Sequence, residues 1–577
     1  MLAIFVIVPL LIGAAISAIL KGYEKLISKI ALAMSLVSML FAFYLFALSP
    51  GNQNIPWFTL SGYIVHISTT LAPLHILLLL IVAIITPLVM LYSIGYMRLP
   101  SEQGRFYFEL SIFSAAMMLF SIASNLITMF IGWELLGLTS YLLIGFWNRK
   151  ENAMKASLKA ISTILIGDIL VLMGIVILWT AYGTFNIAYI AGAAHKGIAV
   201  EYALIFIIFG AFTKSAQFPF HEWLADAMEG PTPVSAFLHS STMVKAGVFL
   251  IALILPLIMS YNLGYILIII GVITALVGAL NALSETHIKR ILAYSTIEDM
   301  GLMFVALGFN SLFAAIALFF VQTFYKAELF MSAGYMMKAN NDEENINSIY
   351  GPGRFKELMI PTIIAAASLA GIIPLSGFFG KAAVDSAVSN VYVYAMLVAI
   401  DLLSAAYIFR WMFIPLKKNG PRTSYERVPR EMLIPIYILA IMIVGASVIY
   451  FMLPSYLGVA PISANYIHDA ILLASAIIGI AVAYFSFYKS TATKSLNIIY
   501  TRRITNNFYA LIVTLFTHIA GAVEKIDSAL YGFIKDGSIG IRYIGSRLSL
   551  IENGKIDYYL IAFITGLTVI IVVFMVF

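Results

Sequence analysis

Ionisable side chains recur in this chain inside runs that are otherwise apolar. Glu134 stands in MFIGWELLGLTSYLLIGFW, Asp168 in KASLKAISTILIGDILVLMGIVIL, Lys214 in LIFIIFGAFTKSAQFPFHEWL, and His239 with Lys245 in PVSAFLHSSTMVKAGVFLIA. Farther on, Glu298 and Asp299 fall in ILAYSTIEDMGLMF, Lys326 and Glu328 in FVQTFYKAELFMSAG, and Lys381 with Asp385 in IIPLSGFFGKAAVDSA. A charge at the centre of a bilayer costs at least ~2.5–3.5 kcal/mol, so a side chain kept there reads as functional by default. A desolvated lysine releases its proton readily and keeps it when a carboxylate approaches, while a carboxylate shifts the other way. Glu134 beside Lys214 therefore reads as a switchable pair. Separated, Lys214 can pass its proton toward Lys245 and His239, with Ser215, Gln217, Ser240 and Thr242 as polar stepping stones. His239 and Lys245 are taken as one continuous helix, ~9 Å of rise apart. Such a relay moves protons without a cofactor.

The competing reading of any one of these groups is a buried structural ion pair. Arg410 and Asp401 are read that way, with Arg410 snorkelling toward its helix end, and Glu298 and Asp299 are open to a position near a helix end. His239 alone is more often a satisfied interior histidine. The ensemble in two similar halves carries the relay reading. No cysteine is present, so thiolate-held iron–sulfur clusters, disulfides and covalent haem are excluded. The eight histidines have no close pair at metal-ligand spacing.

The elements that hold these groups follow from composition. Of 577 residues, 62% are hydrophobic and 11% charged, and the mean hydropathy is +0.98. A soluble globule cannot hide that much apolar surface, so the chain is a polytopic membrane protein. Runs long enough to span as helix lie at 1–20, 28–48, 70–96, 106–123, 126–147, 158–181, 202–220, 233–258, 263–283, 290–308, 312–336, 360–387, 391–414, 432–453, 465–488 and 557–577. Period-two alternation is lacking, which excludes a barrel, and the first run has no basic residue ahead of it, unlike a signal peptide. Of 34 basic residues, only Lys196 falls in a connection opposite the rest, and Lys214, Lys245, Lys326, Lys381 and Arg410 fall inside runs. The excess of lysine and arginine on one side places the amino terminus outside. The net charge of +6 thus reflects orientation and does not imply nucleic acid. Pro219 in the Lys214 run, and Pro374, Gly377 and Gly380 before Lys381, predict two broken helices and hence an internal repeat. From 501 to 556, apolar residues at spacings of three and four predict a helix lying along the membrane, with a vertical helix over 504–523 as the rival.

The stretch FGAFTKSAQFPFHEWLADAMEGPTPVSAFLHSSTMVKAGVFL, with IGWELLGLTSYLLIGFW, HIKRILAYSTIEDMG, FYKAELF and PLSGFFGK, resembles the antiporter-like L-type (chain 5) subunit of proton-pumping NADH:quinone oxidoreductase, respiratory complex I. That family is related to Mrp-type cation/proton antiporter subunits. The resemblance implies an all-α polytopic membrane fold of about 16 transmembrane helices, with two inverted five-helix repeats containing broken helices and a long carboxyl-terminal lateral helix. Domain boundaries follow: 1–105 amino-terminal helices, 106–258 first repeat, 259–415 second repeat, 416–500 additional helices, 501–556 lateral helix and 557–577 final helix. By motif, the resemblance assigns proton-carrying roles to Glu134, Asp168, Lys214, His239, Lys289, Lys326 and Lys381, beside Lys245 and Glu328 from the reading above. Gln322 stands where many members carry histidine, and Glu328 stands in place of the usual aliphatic residue as a candidate substitute. HSSTMVKAGV is worded as in Mrp-type Na+/H+ antiporters and energy-converting membrane-bound hydrogenases, which keeps these as the alternative parent complex. The expected setting is a prokaryotic plasma membrane. No cofactor is expected in this chain; the resemblance implies iron–sulfur clusters, flavin and quinone on partner subunits. The partners implied are neighbouring antiporter-like membrane-arm subunits, the lipid bilayer and protons, with Na+ as the alternative cargo.

Overall fold

The computed structural model describes residues 2–489 apart from 21, 22, 50, 61, 62, 98, 99, 195, 196, 352–354, 418–427, 461, 463 and 464, and beyond 489 only scattered positions between 514 and 568. In chain order the helices are α1 (Val8–Ile19), α2 (Glu24–Leu48), α3 (Pro73–Tyr96), α4 (Pro100–Ile122), α5 (Leu126–Ile144), α6 (Glu151–Tyr182) and α7 (Ile187–Ala191). There follow α8 (Gly197–Lys214), α9 (Glu222–Asp226), α10 (Thr232–Ser240), α11 (Met243–Leu253), α12 (Leu255–Ser260), α13 (Gly264–Ser284) and α14 (Ile288–Gly308). The last are α15 (Leu312–Ala339), α16 (Lys356–Leu369), α17 (Ser376–Ala387), α18 (Val391–Lys417), α19 (Arg430–Tyr450), α20 (Leu453–Leu457) and α21 (Tyr466–Ala483).

Apolar runs in hydrocarbon must close their backbone hydrogen bonds internally, which makes them helices, and polar side chains cap the ends. Asn125 accepts from the Thr128 amide at 2.7 Å and opens α5. The Ile467 and His468 amides donate to Asn465, which opens α21. Gly183, at φ +69°, ends α6 in the left-handed conformation that glycine adopts without cost. Along α6, Ile166, Ile169, Met173 and Val176 are exposed while Asp168, Val171, Ile175 and Leu178 are buried, so the helix turns one apolar face outward as a lipid-facing helix does.

Among the described residues, fourteen helical stretches are long and apolar enough to cross a membrane, one of them, Thr232–Leu253, made of α10 and α11 together. They correspond to fourteen of the sixteen expected runs. The run at 360–387 is instead split into α16 and α17 around residues 370–375. The run at 557–577 lies largely outside the described residues. A β-hairpin, β1 (Gln53–Leu60) with β2 (Tyr63–Thr69), was not expected; it pairs antiparallel with Gln53 opposite Thr69. Asn125 Nδ2 holds it to α5 by donating to His66 O at 2.7 Å.

The chain divides into two units, Met1–Thr501 and Arg502–Phe577. In the second, the described positions from Thr514 to Ser546 are helical, and His518 Nδ1 donates to Thr514 O at 2.7 Å. The expected lateral course over 501–556 lies mostly outside the described residues. In the first unit, α15 forms the centre, with α10, α14, α17 and α19 packed around it. Glycines allow the closest helix pairs: a Cβ on Gly278 of α13 would come within 2.7 Å of the Glu298 amide of α14.

Candidate functional site

In the first half, α6 and α8 approach through Gly167 and Gly210. A Cβ at Gly167 would collide with Thr213 Oγ1, and one at Gly210 would meet Gly167 O at 2.6 Å. This contact brings Asp168 Oδ1 to 3.4 Å from Lys214 Nζ, both buried. Lys214 also donates to Trp133 O at 2.6 Å and lies 4.1 Å from the centre of the Trp133 ring, whose Nε1 donates to Asp168 Oδ1 at 2.5 Å. The expected Glu134–Lys214 pair is therefore not the one formed. Glu134 is half-buried and feels both Lys214 and Asp168, but among the described residues it has no ion pair within 4 Å. The reason is angular: consecutive helical residues point about 100° apart, and Trp133 occupies the side of α5 that meets Lys214.

α8 stops at Lys214, and Ala216 follows at φ +50°. Ser215 Oγ then donates to Val244 O at 2.6 Å, tying the break to α11. A second break separates His239 from Lys245. α10 ends at Ser240, and Thr242, at φ −127° and ψ −112°, precedes α11, so the expected continuous helix through both does not exist. The run of hydroxyls in HSST competes for backbone hydrogen bonds and marks this break. Lys245 is buried and donates to Phe319 O and, at 2.5 Å, to Thr323 Oγ1; among the described residues no carboxylate is within 4 Å of it. His239 stacks on Phe330 at 4.8 Å, and both its ring nitrogens are buried without a hydrogen-bond partner among the described residues. Gln322 Nε2 donates to the His239 carbonyl at 3.3 Å.

The second half is built on two adjacent carboxylates of α14. Lys326 Nζ lies 3.0 Å from Asp299 Oδ2 and donates to Ser295 Oγ at 2.5 Å. Lys381 Nζ lies 3.0 Å from Asp401 Oδ1 and 3.8 Å from Glu298 Oε1, and Ser404 donates to Glu298. Glu298 and Asp299 are thus fully buried in mid-helix rather than near an end. Asp401, read as structural alongside Arg410, is the direct partner of Lys381, while Arg410 donates to Glu285 O at 2.7 Å and holds a helix end. Asp385 is not the partner of Lys381 that its place one turn along suggested. Helical side chains lean toward the amino terminus, which carries the ammonium away from a carboxylate four residues later. Glu328 accepts from Ser332 Oγ at 2.6 Å, and Ser332 accepts from Thr362 Oγ1 at 3.2 Å, so Glu328 belongs to a hydroxyl cluster facing α16.

Two buried groups, His221 and Glu222, escaped the sequence reading. His221 Nε2 lies 3.4 Å from Glu222 Oε1, and Tyr294 OH donates to Glu222 Oε2 at 3.4 Å. The signal was the HE pair directly after Pro219, where a broken helix turns back into the protein. Lys289 donates to Met228 O and, at 3.0 Å, to Gly230 O, clamping the turn before α10. Beside it opens a cleft of about 1170 Å³ lined by Lys150, Glu229, Lys289, Lys338, Asp342 and Glu344 among others. Burial pushes the Glu344 carboxyl up, but the hydrogen bond with His287 at 2.9 Å and the charges of His287, Lys289 and Lys150 outweigh it and hold the group down to about 2.

The family model described as NADH:quinone oxidoreductase/Mrp antiporter, TM matches residues 123–406, and that described as NADH-Ubiquinone oxidoreductase (complex I), chain 5 N-terminus matches residues 57–107. NADH-quinone oxidoreductase subunit L of Escherichia coli (strain K12) is 29% identical over 614 residues, covering 100% of this chain and 99% of that protein. The chloroplastic NAD(P)H-quinone oxidoreductase subunit 5 of Chara vulgaris is 30% identical over 615 residues, covering 95% of this chain and 92% of that protein. Among solved structures, the Mrp complex from Dietzia sp. DQ12-45-1b aligns with a TM-score of 0.75 at 22% identity, over 90% of this chain and 60% of that chain. The membrane-bound sulfane sulfur reductase (MBS), an archaeal respiratory membrane complex, aligns with a TM-score of 0.70 at 22% identity, over 84% of this chain and 99% of that chain. At such identity the two structures share the fold.

Proposed function

Because this chain belongs to the family of subunit L (chain 5) proteins of NADH- and NAD(P)H-quinone oxidoreductases, we propose that it is a multi-pass, proton-translocating membrane-arm subunit of a complex I-type quinone oxidoreductase. Its buried Lys, Glu, Asp and His side chains carry the protons, and redox groups on partner subunits supply the driving force. The observation that carries this reading is the shared carboxylate pair of α14. Asp299 holds Lys326 at 3.0 Å while the next residue, Glu298, lies 3.8 Å from Lys381, so two lysines on different helices compete for adjacent negative charges. A proton that arrives on one lysine changes the field at the other, and a low-dielectric interior transmits that change efficiently.

The interior charge also favours proton mobility. Around α14 and α17, Lys245, Lys326 and Lys381 face Glu298, Asp299, Asp401 and Asp385, all buried. Three cations against four carboxylates are neutral only when one further proton is bound, and a membrane interior strongly penalises net charge. Lys214 and Asp168 form the neutral pair of the first half, and the Ser215 contact with α11 leads from that pair toward Lys245. The two halves are read as inverted repeats, 106–258 and 259–415, each with a broken helix. Lys214 ends the helix before its break, whereas Lys381 follows its break. The setting proposed is a prokaryotic plasma membrane with the amino terminus outside, and a lateral helix over 501–556 along neighbouring antiporter-like subunits.

The second reading, an Mrp-type Na+/H+ antiporter subunit, is favoured by the fold shared with the Mrp complex. Purification of the intact complex through a tag on this chain separates the two. Quinone-binding and iron–sulfur companions, with quinone reduction coupled to proton transport in vesicles, are expected. Companions without redox groups, and sodium-dependent proton exchange without electron transfer, would overturn the proposal.

A further inference from the structure

We propose that α21, a helix beyond the matched repeat region, supplies the proton outlet of the second half: Asp385 takes the proton from Lys381, and His468 with Asp469 passes it to the face opposite the basic connections. This rests on the proton-translocating reading above. Asp385 is only 2% exposed, and among the described residues its Oδ2 has no hydrogen-bond partner and no cation lies within 4 Å of it. A carboxyl so placed is costly when charged and, when protonated, holds a proton with no fixed acceptor. Its charge interacts with those of Asp401, Lys381 and Asp469.

The cover over Asp385 is built for transfer. His468 Nδ1 lies 3.2 Å from the Asp385 carbonyl oxygen, and the imidazole stacks on Tyr394 at 4.0 Å, with an angle of 19° between the rings. A carbonyl oxygen only accepts, so Nδ1 carries the hydrogen and Nε2 keeps its lone pair free to take a proton. Tyr394 OH is a second buried polar atom without a hydrogen-bond partner among the described residues, and its electrostatic neighbours are Asp385, Asp401 and Asp469. Asp469, the residue after His468, is half-buried and feels the His468 charge.

The position suits release. α17 ends at Ala387, α18 begins at Val391 and α21 begins at Tyr466, and the segments 388–390 and 451–465 contain neither lysine nor arginine. By the positive-inside rule this end faces outward. In the step itself, the Lys381 ammonium gives its proton through water to the Asp385 carboxylate and becomes a neutral amine. The carboxylic acid then protonates His468 Nε2 through water, and the imidazolium returns that proton to water beside Asp469. One proton moves and every group regains its starting state once Lys381 is reloaded.

The test uses the intact complex in membrane vesicles, with proton transport per electron, electron-transfer rate and assembly on native gels read together for Lys381→Ala, Asp385→Asn, Asp385→Glu, His468→Gln and Asp469→Asn. The expected result is assembled complex with transport lost in Asp385→Asn and His468→Gln, as in Lys381→Ala, weakened in Asp469→Asn, and retained in Asp385→Glu, which a purely structural role for the cover would not produce. His468→Gln keeps an N–H for the Asp385 carbonyl, so it removes the protonatable ring and leaves the staple. Full transport in His468→Gln and Asp385→Asn beside loss in Lys381→Ala puts the outlet elsewhere and overturns this proposal while the relay stands. Full transport in assembled Lys381→Ala overturns both. Should Asp385→Asn fail to assemble, His468→Gln and Asp469→Asn decide by the same criterion.

Discussion

Neutralising one carboxylate at each lysine separates the two halves of the relay by a calculable amount. Lys214 has a single carboxylate within 4 Å among the described residues, Asp168 at 3.4 Å, whereas Lys381 has Asp401 at 3.0 Å and Glu298 at 3.8 Å. With an effective dielectric constant of about 20, these contacts correspond to about 5, 5.5 and 4.4 kcal/mol of Coulomb energy respectively. Asp168→Asn removes all of the close pairing of Lys214, leaving the Trp133 carbonyl and ring. Asp401→Asn leaves Lys381 with about 4.4 of about 10 kcal/mol. The amide nearly matches the carboxylate in volume, so packing changes little and the loss is electrostatic. Both variants are expected to assemble, and Asp168→Asn is expected to lower proton transport per electron more than Asp401→Asn. Vesicle acidification measured against quinone reduction, with assembly scored on native gels, gives the comparison. Equal or reversed severity in fully assembled complexes would refute the view that close carboxylates set how firmly each lysine holds its proton.

Gly167→Leu forces α6 from α8, with an overpacking cost of at least ~1–3 kcal/mol; thermal unfolding of the complex should come earlier, while Gly445→Leu, with none of the described residues within 4 Å of its Cβ direction, serves as the unaffected control. Lys289→Met strands the Met228 and Gly230 carbonyls that it clamps, at ~1–3 kcal/mol for each buried acceptor left unpaired; lower thermal stability with an unchanged proton-to-electron ratio is expected, and a lost ratio at unchanged stability would make Lys289 a proton carrier instead. Glu344 is held below its ordinary value of 4.5 at about 2, so its contribution is complete above about 4.5 and disappears as pH falls through about 2. The difference in unfolding temperature between the wild type and Glu344→Gln should therefore be flat from neutral pH down to about 5 and shrink below it; a difference that grows with acidity would contradict this sign.

Which side chains are buried and charged was legible in the sequence, because a charge inside an apolar run of spanning length has few explanations. Glu298, Asp299, Lys326 and Lys381 all stand out that way. Which partner each lysine takes was not legible, because it depends on how closely neighbouring helices approach and on which face each turns to the other. Asp168 reaches Lys214 through the Gly167 and Gly210 contact between α6 and α8, and no spacing along α5 or α6 reveals that two glycines on different helices meet. The hairpin at 53–69 escaped for a related reason: its short alternating strands lie between two long apolar runs and gain their place from Asn125, fifty-nine residues beyond His66.

Asp385 marks the boundary between these cases. Its spacing from Lys381 suggested a pair, but in helices an acidic residue four places before a lysine is the favourable order and the reverse is weaker. Lysine side chains lean back toward the amino terminus of their helix, so Lys381 makes its close contacts with Asp401 and Glu298 on neighbouring helices and is not in direct contact with Asp385. Direction as well as distance along the helix therefore decides the pairing, and that rule is available from sequence. Applied to Lys381 and Asp385, it leaves the carboxylate without Lys381 as a contact, while the Asp385 carbonyl, which points toward the carboxyl end of α17, meets His468.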